Sequence, residues 1–218
     1  HMDKIVFLNG KFIKLKYAKV SIEDRGFQFS DSIYEVIAYK DNNFIDLKFH
    51  LQRLRYSLKE LNIKFYFTNL KLIKIINKVV HKNKLKNGLI YLQITRGVQS
   101  RNHVYKDNLK PTIIIYILEK KFNDNLKSLK SQKAITYPDL RWLRRDIKSV
   151  SLLPNIMAAK EANKKNAYEA ILIKNGYVTE CTASNLWIIK KNKLITHPSN
   201  TDILGGITRK RLKIIIKK

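Results

Sequence analysis

Hydrophobic and polar positions change period several times along the chain, and each change predicts an element. Ile5 to Leu8 and Phe12 to Leu15 are apolar-rich runs around Asn9-Gly10, a pair that supplies the positive φ angles of a two-residue hairpin turn. Ile33 to Tyr39 and Phe44 to Leu47 flank a second turn-forming cluster, Asp41-Asn42-Asn43. From His50 the period lengthens: Leu51, Leu54, Leu58 and Leu61 recur every three or four residues, which predicts a helix with one apolar face. Leu70 to Val80 reads as a second helix, and Gly88 to Thr95 and Thr112 to Leu118 as strands. The N-terminal part is therefore an α+β unit of antiparallel strands and two helices.

Lys120 to Gln132 mixes few apolar residues with Lys, Asn and Ser, the composition of a linker. Beyond it, Ala134 to Tyr137 predicts a strand and Leu152 to Ala167 a helix. Ala170 to Ile173, Leu186 to Ile189 and Leu194 to Thr196 predict short strands, with turns at Asn175-Gly176 and Lys191-Asn192. Ile207 to Lys217 predicts a closing helix. The expected organisation is a small N-terminal α+β domain over 3–120, a linker over 121–132 and a larger C-terminal domain over 133–218. His1-Met2 is set aside as a cloning remnant.

Charge changes this picture less than its size implies. The 218 residues carry 44 Lys+Arg against 17 Asp+Glu, a formal charge of +27. Clustered cations would favour a polyanion through counterion release, but here the lysines are spread over almost every segment. A solvated Lys-rich surface is the better reading, and a nucleic-acid partner is not expected. With 44% hydrophobic residues the chain can bury a core, while no run reaches the roughly 18 apolar residues of a membrane span. No signal-peptide pattern is present, and the single cysteine, Cys181, excludes an internal disulfide framework. A soluble, cytoplasmic protein is expected.

Four places could carry chemistry. Lys148, in Asp146-Ile147-Lys148-Ser149-Val150 beside Leu152-Leu153, could be partly desolvated, which favours the free amine needed for Schiff-base chemistry; a surface lysine at a strand end is the alternative. Gly205-Gly206-Ile207-Thr208 has the form of an anion site at a helix start, although a Gly-Gly turn before a helix is common. Glu180, among small hydroxyl residues between two strands, could orient a ligand nitrogen or cap a turn. Arg101-Asn102-His103 suits a carboxylate or is simply a solvated basic loop.

These places coincide with the motifs of one family. Asp24-Arg25-Gly26-Phe27-Gln28-Phe29, Tyr34-Glu35-Val36, His50-Leu51-Gln52-Arg53-Leu54, Thr95-Arg96-Gly97, Arg101-Asn102-His103, Arg141 to Ser149, Tyr168-Glu169-Ala170, Val178-Thr179-Glu180, Thr196-His197-Pro198 and Gly206-Ile207-Thr208-Arg209 occur in the family's order. Nearly the whole chain thus resembles the class IV, or fold-type IV, pyridoxal-phosphate aminotransferases, most closely those acting on D-amino acids. The resemblance implies a two-domain fold whose C-terminal part binds pyridoxal 5′-phosphate. It implies that Lys148 bonds to the cofactor and then moves the α proton, and that Glu180 pairs with the pyridine nitrogen. Arg53, Ile207 and Thr208 would hold the phosphate, and Leu204 would pack on the ring. Tyr34, Arg101 and His103 would trap the substrate carboxylate, the last two supplied by a partner subunit, so a homodimer is expected. The implied reaction moves an amino group from a D-amino acid such as D-alanine to a 2-oxo acid such as 2-oxoglutarate. Branched-chain aminotransferases and aminodeoxychorismate lyase share the cofactor motifs and are the alternatives within the fold; an inactive nucleic-acid-binding homologue is the alternative outside it.

Departures from the family pattern are local. Ser30-Asp31-Ser32 stands where glycines usually flank the aspartate, Cys181 replaces a glycine after Glu180, and Ala183 replaces a hydroxyl residue. Family chains continue beyond the helix that starts near Thr208, so the final domain reads as truncated: a cut protein, a fragment completed by a second chain, or a decayed product.

Overall fold

A computed structural model describes residues 3–217; His1, Met2 and Lys218 lie outside the described residues. The chain divides into two compact units. The first runs to Asp124 and also takes in Lys148–Val150; the second comprises Asn125–Ile147 and the chain from Ser151 onward.

The first unit is built on one six-stranded antiparallel sheet. Its strands are β1 (Ile5–Leu8), β2 (Lys11–Lys14), β3 (Ser32–Lys40), β4 (Asn43–Phe44), β5 (Gly88–Thr95) and β6 (Ile113–Glu119), in the spatial order β2-β1-β6-β5-β3-β4. The hairpin turns are tight because their residues tolerate a left-handed backbone: Asn9 and Gly10 join β1 to β2 with φ of 47° and 92°, and Asp41 and Asn42 join β3 to β4 with 49° and 62°. The run expected as a strand to Leu47 stops at Phe44, because Asp46 turns the chain left-handed at φ 54° and a helix begins at Leu47.

Helices α1 (Arg25–Phe29), α2 (Leu47–Glu60) and α3 (Asn69–Lys82) complete this unit. The apolar faces of α2 and α3 bury Leu51, Leu54, Leu58, Leu72, Ile76 and Val79 with Ile33, Ile37, Ile90, Leu92, Ile94 and Ile115 of the sheet. α1, five residues long, carries no periodic signal; Asp24 caps it by accepting from the Gly26 amide at 2.8 Å. Its close is a departure from the family pattern: Ser30 takes φ 57°, where a side chain costs about 1 kcal/mol relative to glycine.

The second unit holds a three-stranded sheet, β7 (Ala134–Pro138), β8 (Glu169–Lys174) and β9 (Tyr177–Cys181), in the order β7-β8-β9. β7 and β8 are parallel and are joined through α4 (Leu153–Lys164), the crossover that parallel neighbours need. Ala158 and Ala162 of α4 sit directly on Ala170 and Leu172 of β8; small residues let helix and sheet approach closely. Turns Asn175-Gly176 and Lys191-Asn192 close β8–β9 and the separate hairpin β10 (Trp187–Lys190)–β11 (Lys193–Thr196), again with positive φ throughout. α5 (Ile207–Ile216) follows Gly205-Gly206.

Candidate active site

In the first unit, Lys148 is carried beside β3. The Tyr34 amide donates to the Lys148 carbonyl at 3.0 Å, the Lys148 amide donates to Ser57 Oγ at 3.1 Å, and the Val150 amide donates to the Ser32 carbonyl at 3.2 Å. The residue is half-buried, and its Nζ lies 4.2 Å from the centre of the Tyr34 ring. Tyr34 faces away from the helices and stacks on Tyr91 at 5.8 Å, which meets Tyr116 at 5.0 Å. Burial pushes the Tyr34 phenol up, against the nearby Arg53 charge, and pushes Tyr91 up to about 12. Both phenols therefore stay protonated at neutral pH and can donate hydrogen bonds.

On the opposite face of β3, Glu35 is turned into the core and is only 1% exposed. Arg53 from α2 clamps it through Nε to Oε1 and Nη2 to Oε2, both at 2.8 Å. His50, one turn earlier on α2, places Nδ1 2.7 Å from Oε2. Burial alone would raise the Glu35 carboxyl; the hydrogen bonds from Arg53 and His50 outweigh it and hold the group below its ordinary value. Arg53 is thus not an exposed helix arginine: its side chain is 12% exposed and its guanidinium is fixed in orientation by a bidentate pair.

Arg101 and His103 lie elsewhere in this unit, on an exposed loop after β5. The Arg101 guanidinium sits 4.6 Å from the Phe29 ring, and the His103 ring lies 5.4 Å from the same phenylalanine. Tyr34 has Lys148 and Tyr91 as neighbours instead, so within one chain the three expected carboxylate contacts occupy two places.

The second unit is organised around Glu180. It lies inside β9 and not between strands, because β9 starts at Tyr177, immediately after the Asn175-Gly176 turn. The carboxylate accepts from Arg141 Nη1, from Asn185 Nδ2 at 2.7 Å, and from the Leu204 amide at 3.0 and 3.2 Å. Burial pushes the carboxyl up, and the Arg141 charge pulls against that rise. Arg141 also pairs with Asp139 at 2.9 Å, Arg145 reaches Asp202 at 2.7 Å, and Lys174 reaches Asp202 at 2.5 Å. Three carboxylates, Glu180, Asp139 and Asp202, and three cations, Arg141, Arg145 and Lys174, thus neutralise one another. Arg141 was visible in the sequence within a motif, but nothing there gave it a role; its partners Asp139, Glu180 and Thr179 are brought to it only by the turn after β7 and by β9.

Leu204 holds Glu180 by its amide, and Gly206 lies tight against Asn185: a Cβ on Gly206 would come within 2.0 Å of Asn185 Oδ1. No side chain caps the start of α5 at Gly206, and Arg209 Nε in the first turn is buried without a hydrogen-bond partner among the described residues. Ile207 is buried and Thr208 exposed at this helix start. An uncapped helix N-terminus with a surplus of donors is a place where an anion fits.

A sheet unit that presents a lysine against a tyrosine, and a second unit with a buried carboxylate next to an uncapped helix start, define a class that comparison with known proteins identifies. The chain belongs to the class IV amino-transferase family, whose model matches residues 32–218. Among its relatives are the D-alanine aminotransferases of Bacillus licheniformis, 40% identical over 209 residues covering 95% of this chain and 73% of that protein, and of Staphylococcus epidermidis, 41% identical over 212 residues covering 96% and 74%. The fold is that of Escherichia coli branched-chain amino acid aminotransferase, with a TM-score of 0.88 at 22% identity, covering 99% of this chain and 74% of that one. A putative 4-amino-4-deoxychorismate lyase from Legionella pneumophila gives a TM-score of 0.82 at 25% identity over 93% and 75%. No described helix is long and apolar enough to cross a membrane.

Proposed function

We propose that the protein exchanges an amino group between a D-amino acid, such as D-alanine, and a 2-oxo acid, such as 2-oxoglutarate, with pyridoxal 5′-phosphate as cofactor. The observation that carries this reading is Lys148, a half-buried lysine fixed to β3 by its backbone, in a chain about 40% identical to proteins named D-alanine aminotransferase. The donor set suits the cofactor. In the second unit Glu180 offers a buried carboxylate to a ring N–H, Leu204 follows in the chain segment bonded to it and would pack on the ring, and the Ile207 and Thr208 end of α5 offers N–H groups to a phosphate; in the first unit Arg53 offers an oriented guanidinium. When bound, the cofactor supplies a carbonyl carbon that takes up the amino group and a ring that withdraws electrons.

The residues of this chain do the rest. Lys148 Nζ takes the proton from the substrate Cα and returns it there in the reverse half-reaction. The Arg141 charge opposes the rise that burial gives the Glu180 carboxyl, and a carboxylate in that place favours a protonated nitrogen opposite it. Tyr34, a protonated phenol, can donate to a substrate carboxylate, and Arg101 supplies a charge and His103 a ring nitrogen to hold one. Fixing the carboxylate and the amine leaves two orientations for the α hydrogen, and only one points it at Lys148, which is how a placed clamp selects one enantiomer. Because Tyr34 and the Arg101/His103 pair lie apart within a chain, a homodimer in which the partner subunit supplies the pair completes the clamp.

Borohydride reduction of protein loaded with pyridoxal phosphate, followed by peptide mass spectrometry, should find the adduct on Lys148, and unreduced protein should change its absorbance with D-alanine but not with L-leucine. No adduct on Lys148 overturns the assignment; a response to L-leucine alone overturns the D-preference. We also propose residues 121–132 as the interdomain linker: brief trypsin treatment should cut first there, at Lys121, Lys127 or Lys130, which are exposed, and leave two resistant fragments on a denaturing gel.

A further inference from the structure

The proposed chemistry leaves one buried charge cluster unused, and it lies under the loop that carries Arg101 and His103. Arg25, the first residue of α1, is 4% exposed. Its Nε donates to Asp31 Oδ2 at 2.8 Å, its Nη1 to the Asn102 carbonyl at 2.5 Å and its Nη2 to the His103 carbonyl at 3.0 Å. Arg96 donates through Nε to the same Asp31 oxygen at 2.7 Å, and through Nη1 and Nη2 to the carbonyls of Asn62 and Leu61 at 3.0 and 2.7 Å. Two guanidiniums thus share one carboxylate oxygen, and four backbone carbonyls offset the surplus positive charge.

Burying charge in this way is costly, and an apolar cluster of the same volume would serve stability as well or better. What the arrangement does achieve is to hold the carbonyls of two consecutive loop residues on the two arms of one planar fork, which a lysine cannot do. The side chains follow the backbone. Phe29 takes the Arg25 guanidinium at 4.8 Å, the Arg101 guanidinium at 4.6 Å and the His103 ring at 5.4 Å. Tyr105 closes the far end of the loop with its ring 3.7 Å from the Arg96 guanidinium.

We infer that Arg25 is a positioning residue for substrate selection: anchored by Asp31, it fixes the backbone at Asn102 and His103 and so sets where the Arg101 guanidinium and the His103 ring are presented to a substrate carboxylate. The inference rests on the reading of Arg101 and His103 as carboxylate holders. A displacement of about 1 Å in such a clamp can cost up to about a hundredfold in rate.

The test compares Arg25→Lys, Arg101→Ala and the double variant in the full-length, cofactor-loaded protein. Arg25→Lys retains the charge next to Asp31 but releases at least one carbonyl. The expected result is a KM raised about tenfold for both D-alanine and 2-oxoglutarate, with kcat and pyridoxal-phosphate affinity within about twofold, and faster amide exchange across 101–105. Arg101→Ala should also raise KM, and the double variant should be no worse than Arg101→Ala alone, since both act through one clamp. If Arg25→Lys leaves KM unchanged while Arg101→Ala raises it, or if the two effects multiply, the inference is overturned and the clamp reading stands. If Arg101→Ala itself leaves KM unchanged, the clamp reading falls and the inference with it. Should Arg25→Lys not fold, Tyr105→Leu loosens the same loop with both Asp31 pairs intact; it should raise KM a few-fold, and an unchanged KM overturns the inference.

Discussion

Lys148→Ala is expected to abolish transamination while leaving the fold in place. The backbone of Lys148–Val150 is held by hydrogen bonds to Tyr34, Ser57 and Ser32 that do not involve the lysine side chain, so truncation should preserve the short pairing with β3, including the Ile33–Ser149 bridge. The side chain gives up its placement over the Tyr34 ring, a cation–π contact worth about 1 kcal/mol at a half-buried site. Thermal stability should therefore fall only slightly. Turnover should fall far more: losing proton transfer at the substrate Cα costs about 10²–10⁴-fold by itself, and losing the covalent capture of the cofactor adds to that. Steady-state rates with D-alanine and 2-oxoglutarate, beside a melting curve of the variant, provide the check. A folded variant retaining more than a tenth of wild-type turnover would remove Lys148 from the proposed chemistry.

Lys148 itself shows what could and could not be read from sequence. The residue type and its motif singled it out among many lysines, yet its attachment to β3 was invisible, because Asp146 to Ser151 has no strand periodicity; the pairing comes from tertiary contact with Ser32 and Tyr34. Elements whose signals are local were legible. The turns at Asn9-Gly10 and Asn175-Gly176 announced themselves through residues that accept positive φ, and α2 and α3 through their leucine and isoleucine spacing. The α1 helix was not legible, since five residues are too few for a period and its stability comes from Asp24 and from Arg25's buried contacts. The supporting charges were missed for the same reason: Glu35, Arg25 and Arg141 stood inside recognised motifs, and Asp31 in a run that departs from the family pattern, but a charge's role depends on partners far away in the chain. One signal was there to be used. In β3 the buried face runs Ile33, Glu35, Ile37, so an acid occupies a core position of an alternating strand, and such a residue demands a cationic partner.

Replacing that acid should produce the largest loss of stability of any single substitution in the first unit. Glu35→Ala removes the carboxylate that Arg53 grips at two points and that His50 contacts, leaving a guanidinium and an imidazole facing each other across a cavity in the core. Removing one partner of a buried pair costs about 3–5 kcal/mol, a large share of the stability of a small domain. Glu35→Gln keeps the volume and some hydrogen bonding and should cost less. The two can be separated from a simple packing defect by pH. In the native protein the Glu35 carboxyl sits below its ordinary value, so its contribution to stability is fully present above that ordinary value and is lost as the pH falls through the depressed one. The stability gap between wild type and Glu35→Gln should accordingly be widest near neutrality and shrink in acid; a gap that does not change with pH would mean that charge pairing is not what Glu35 supplies. Because Glu35 orients the Arg53 guanidinium proposed to meet the phosphate, Glu35→Gln should also bind pyridoxal phosphate more weakly in an absorbance titration, even at temperatures where the variant is fully folded.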